Sequence, residues 1–157
     1  MKINISILEK KLNIKFKNKN LLIKSLTHKS FDKNNNNEKI EFLGDRVLGL
    51  VIAKKLLEIY PEEKEGILDK KFASLVNKKT CVEIAKKINL EKYILTFDNK
   101  KSSTKVEDKV IADACEALIG AVYLDKGFSE VEVLILNLWS KNIKDSVITQ
   151  IDAKTKL

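Results

Sequence analysis

The sequence predicts an all-α domain, and three observations carry that expectation. The chain has 157 residues but only 5 Gly and 1 Pro, too little turn material for the tight reversals of an all-β fold. Its apolar residues, 44% of the total, recur at the three- and four-residue spacings of helices. No uncharged apolar run approaches the ~20 residues of a membrane span, so the apolar content is available for one core.

Taken in order, Ile5 to Leu12 and Leu21 to Thr27 read as short amphipathic helices flanking the basic stretch Lys15 to Asn20. The run Asn34 to Asn37 reads as a loop, and Asn37 is expected to cap the next helix by accepting a free backbone N–H. A long helix follows from Glu38 to Tyr60, and Pro61 ends it. After the acidic connection Glu62 to Gly66, a Lys-rich helical region brings Leu68, Phe72, Leu75, Val76, Val82, Ile84, Ala85 and Ile88 toward one side, with a break near Asn77 to Thr80. Glu91 to Lys109 loses periodicity and reads as a surface loop. Helical spacing returns over Val110 to Leu124, closed by Gly127, and a last helix spans Ser129 to about Val147. Residues 1–148 are expected to form one domain, with residues 149–157 the start of a linker.

The opening MKINISILEKK puts Glu9, Lys10 and Lys11 where a signal peptide would carry its apolar core, so a cytoplasmic location is expected. Cys81 and Cys115 lack the spacing of a zinc site and read as buried apolar residues. A net charge of +8 points to an anionic partner. A Lys-, Asn- and Ile-rich composition from an AT-biased genome would give the same charge, because Arg46 is the single arginine.

Two helices carry an acidic pattern. At about 100° per residue, Glu38, Glu41 and Asp45 share an arc of about 60° on the long helix, opposite Ile40, Leu43, Val47, Leu50 and Val51. The flanking residues are Phe42, Gly49 and Ile52, so the helix is apolar nearly all round and Asp45 is expected in a poorly hydrated setting. Asp113 and Glu116 share a face of the later helix, with Gly120 a turn beyond. Carboxylates gathered in this way repel one another unless a cation neutralises them. Oxygen donors without His or Cys select a hard ion, Mg²⁺ in a cell. Pairing with the abundant lysines as surface salt bridges is the competing account of the same pattern.

The stretch Glu38-Lys39-Ile40-Glu41-Phe42-Leu43-Gly44-Asp45-Arg46-Val47-Leu48-Gly49 resembles the signature motif of the ribonuclease III family of double-stranded RNA endonucleases. Further segments agree in order: Leu26 to Phe31, Glu65 to Leu68, Ala73 to Val76, Ile111 to Ala121, and Tyr123 to Phe128. The resemblance covers nearly the whole chain, as the bacterial nuclease domain, and implies the all-α ribonuclease III fold in a homodimer whose valley holds an A-form duplex.

Position by position, the resemblance implies that Glu41, Asp45, Asp113 and Glu116 bind catalytic Mg²⁺, with Mn²⁺ as a substitute, Asp45 and Glu116 being the catalytic pair. It places Glu38 and Glu65 near the cleavage site and subunit interface, and Phe42 in a pocket of the partner subunit. Hydrolysis to 5′-phosphate and 3′-hydroxyl ends is implied, in processing of ribosomal RNA precursors and other RNAs, with no small-molecule cofactor and no membrane partner. Arg46 stands where the family commonly has a small residue, and Lys71 or its neighbour where it commonly has Arg. The usual bacterial member continues into a double-stranded RNA-binding domain, and that module is expected to be absent from this chain.

A non-catalytic RNA-binding or ribosome-associated module with the same fold is the alternative, although a binder gains nothing from acids facing phosphates. A DNA-binding reading lacks a basic recognition helix. The one histidine, His28, is expected to be structural, and Trp139 and Tyr123 to be core residues rather than stacking platforms. Lysines of Lys15 to Lys29 and of Lys100 to Lys109 are the expected phosphate contacts.

Overall fold

The structure, a computed structural model, describes residues 4–97 and 105–155, with side chains inside the last helix described through residue 147. Among the described residues there are eight α-helices: α1 (Ile5–Leu12), α2 (Lys19–Ser25), α3 (Glu38–Ile59), α4 (Glu65–Val76), α5 (Lys78–Lys87), α6 (Asp108–Lys126), α7 (Phe128–Leu138) and α8 (Ser140–Thr155). The all-α expectation holds. Among the described residues the sole β-type pairing is a bridge between Thr27 and Leu95.

Helix α6 is the axis of the fold. From Ile111 to Val122 every residue but Asp113 is buried, and α2, α3, α5 and α7 all pack on it. Small residues make this possible, since Ala112, Ala114, Ala117 and Ala121 admit neighbouring helices at short range. The closest approach is between α3 and α6. A Cβ on Gly44 would lie 1.6 Å from the Glu116 carbonyl oxygen, and one on Gly120 would lie 2.4 Å from the Ile40 carbonyl oxygen. Leu48 and Ile52 continue the α3 contact fully buried, each contributing roughly 2 kcal/mol through apolar burial.

The boundaries follow local chemistry, with some differences from expectation. The break in the Lys-rich region falls at Asn77, which ends α4 and caps α5 by accepting the Thr80 N–H at 2.8 Å. Asn37 does not cap α3. Its buried side chain donates to the Ser25 carbonyl at 3.0 Å, and Asn36 accepts the Glu38 N–H at 3.1 Å in its place. The expected last helix is two, because α7 stops at Leu138 and the chain turns at Trp139 before α8. The buried Trp139 indole donates to the Leu75 carbonyl at 2.7 Å, tying that corner to α4. Helix α8 runs on across 149–155. The α6 start lies at Asp108, two residues before the expected position.

Candidate metal centre

The touching backbones of α3 and α6 set the acids against one another. Glu41, on α3, and Asp113 and Glu116, on α6, place one carboxylate oxygen each within 4.8 Å of the other two. Glu116 is 1% exposed, whereas Glu41 and Asp113 lie at the rim. Asp45 lies outside this trio, but its carboxyl is near enough to act on Glu116 electrostatically. Asp45 itself is half exposed, so the expectation of a poorly hydrated Asp45 is corrected. The poorly hydrated acid is Glu116. The apolar residues that suggested burial around α3 include Phe42 and Leu50, and both face solvent.

Burial, and then the neighbouring Asp45 carboxyl, push the Glu116 pKa up to about 8, while Lys78 pulls the other way. Burial and Asp45 thus disfavour the charged form of Glu116, and the Lys78 ammonium is what offsets them. Lys78, the first residue of α5, reaches across to the three clustered acids. Its Nζ lies 3.1 Å from Asp113 Oδ1 and 3.3 Å from Glu41 Oε1, and it bonds Glu116 Oε1 as well. Partial burial works against the ammonium charge, yet bonds to Glu116 and Asp113 hold its pKa above the usual lysine range.

The remaining expected residues lie outside this cluster. Glu38 and Glu65 are exposed first residues of α3 and α4. Phe42 is 60% exposed, with the Arg46 guanidinium 3.9 Å from its ring centroid, and Arg46 also pairs with Asp45 at 3.3 Å. His28 Nδ1 bonds Ser30 Oγ at 2.8 Å inside its own turn. Trp139 is core and Tyr123 half buried. Cys81 and Cys115 are buried free thiols. Lys100 and its neighbours through residue 104 lie outside the described residues.

Sequence reasoning missed Lys78 and the role of Gly44. Lys78 had one available signal: the first turn of α5 holds Lys78 and Lys79 and no acid, where the helix dipole disfavours positive charge. The cluster fits a divalent cation on its donor chemistry, with three oxygens already gathered and a buried Glu116 whose negative charge the protein interior supports poorly.

The family model described as Ribonuclease-III-like matches residues 18–143. Ribonuclease 3 of Pelagibacter ubique (strain HTCC1062) is 71% identical over 157 residues, all of this chain and 71% of that protein. A 2.2 Å crystal structure of the nuclease domain of ribonuclease III from Campylobacter jejuni superposes with a TM-score of 0.82 at 45% identity, covering 90% of this chain and 97% of the other. A second structure of that domain, described for flexibility in the region involved in dimer formation, gives a TM-score of 0.83 at 44% identity over 88% and 98% of the two chains.

Proposed function

Because the chain belongs to the ribonuclease-III-like family and is a ribonuclease III enzyme, we propose that it is a Mg²⁺-dependent endonuclease hydrolysing double-stranded RNA to 5′-phosphate and 3′-hydroxyl ends. The observation that carries this reading is the convergence of Glu41, Asp113 and Glu116 within 4.8 Å, with Asp45 against Glu116.

These four residues would hold the metal. When bound, Mg²⁺ supplies Lewis acidity and a water of lowered pKa. The protein supplies position. Glu116 is fixed by burial in α6, Glu41 and Asp113 close the ring from its rim, and Asp45, half exposed and paired with Arg46, lies on the solvent side, where it can orient water against a phosphate. Because the α3–α6 contact fixes the backbones that carry all four, less reorganisation is needed when charge develops on the phosphate.

The exposed apolar surface supports a symmetric homodimer. Phe42, Leu50 and Leu57 form an exposed stripe along α3. Near its far end, Ala53, Leu56, Leu57, Leu68 and Phe72, with the acids Glu65 and Asp69, line a cavity of about 210 Å³. In a twofold arrangement Phe42 of one subunit fills that cavity in the other, burying both patches and placing one acid cluster on each strand of a duplex. Among the described residues no helix is long and apolar enough to cross a membrane. We place the enzyme in the cytoplasm, with ribosomal RNA precursors as its leading substrates.

Incubating end-labelled duplex RNA with the protein in Mg²⁺ and in excess chelator tests the reading. Cleavage confined to duplex RNA with Mg²⁺, with ligatable 5′-phosphate ends, is expected. A protein that binds the duplex yet leaves it intact in Mg²⁺ is a binding module instead.

A further inference from the structure

The inference rests on the reading of Glu41, Asp45, Asp113 and Glu116 as the metal site. We propose that Lys78 is a resident counter-cation of that site, exchanged for the divalent ion on loading, so that it sets the metal concentration the enzyme needs.

The geometry makes the two cations alternatives. Lys78 Nζ bonds Glu41, Asp113 and Glu116 together, the same three residues whose oxygens lie within 4.8 Å of one another. A Mg²⁺ ion held here would draw on the same carboxylate oxygens that the ammonium now neutralises. Repulsion between the two cations and competition for the same oxygens set one against the other.

The surroundings allow the ammonium to leave without disturbing the fold. The Lys78 side chain is half exposed, although Glu116 beneath it is not. Its backbone is pinned by Asn77, which accepts the Thr80 N–H at 2.8 Å and donates to the Ala73 carbonyl at 3.0 Å. The flexible four-carbon stem can therefore swing outward by rotamer changes alone. No acid of its own first turn holds the charge at this position, and the helix dipole disfavours it. What compensates the ammonium is the acid cluster of α3 and α6, and a metal ion removes that compensation.

The test uses the full chain stripped of metal, with Mn²⁺ as the probe and its free-ion EPR signal as the readout, for wild type and K78M at one pH and ionic strength. Removing the competitor should tighten Mn²⁺ binding about three- to tenfold. Wild type gives a second readout: acetylation of Lys78 by an amine-reactive ester, followed by mass spectrometry, should be slow without metal and several times faster at saturating Mn²⁺. Should K78M fold poorly, the labelling decides alone. Binding unchanged or weakened in folded K78M, or Lys78 labelling that Mn²⁺ fails to increase, overturns the exchange and leaves the metal site standing. Failure of wild type and K78M alike to bind Mn²⁺ overturns the site and the exchange together.

Discussion

Gly44 stands so close to Glu116 that a methyl group on its Cα would overlap the Glu116 carbonyl oxygen at 1.6 Å. The obstacle is backbone, which has no rotamer to escape into, so α3 and α6 would have to move apart and take Asp45 and Glu41 away from Glu116. G44A should therefore destabilise the fold by at least about 3 kcal/mol, the upper range for overpacking. Gly66 is the control: it lies in α4 with nothing within 4 Å of an added Cβ, and G66A should be neutral or stabilising by a few tenths of a kcal/mol. Urea unfolding of both variants checks this, and a G44A midpoint equal to wild type contradicts the packing.

The sequence carried the fold where a local pattern carried it. Pro61 marks the end of the long helix, and the apolar period marks both α3 and α6. The turn at Trp139 was illegible because apolar spacing runs unbroken from Val131 to Ile143, and only the indole bond to Leu75 distinguishes the corner. Asp45 was misjudged for a similar reason. An apolar ring around a helix does not say whether its neighbours are in the same chain, and Phe42, Leu50 and Leu57 face outward here. The gathering of Glu41, Asp113 and Glu116 was legible from spacing and resemblance, but Lys78 was not. Its partners lie 35 to 38 residues away, and pairing across that distance leaves no periodic trace.

Phe42 gives the proposed dimer its own test. Buried aromatic anchors dominate interfaces, and truncating one commonly costs 2 kcal/mol or more, about thirtyfold in affinity. F42A should thus shift toward monomer in sedimentation at micromolar concentration while keeping the helical signal of wild type, since Phe42 is 60% exposed within its own chain. An F42A dimer as tight as wild type removes Phe42 from the interface.

Glu9 predicts an acid-sensitive contribution to stability. Burial opposes its charge, but bonds from Lys19 Nζ at 2.6 Å and the Phe16 N–H at 2.7 Å hold its pKa below the ordinary glutamate range. A depressed folded pKa stabilises the fold above the unfolded value, ~4.3, and that stability is lost as pH falls through the folded value. E9Q should lower Tm at pH 7 by several degrees, about 1 kcal/mol allowing for the solvent around Lys19, and the difference should close below about pH 4. Melting curves of both proteins from pH 7 to 3 check it, and a constant gap throughout would point to packing rather than charge.

The central claim is that Glu116 and its neighbours make a catalytic metal site, and replacing that one oxygen donor tests it most directly. Burial and Asp45 already favour the neutral form of Glu116, so E116Q should fold and melt at or above the wild-type temperature. Its Mg²⁺-dependent cleavage of duplex RNA should fall by at least about a hundredfold, the scale on which loss of one charge-stabilising group acts. Measuring initial cleavage rates beside melting curves separates folding from chemistry. A stable E116Q that cuts duplex RNA at the wild-type rate contradicts the account.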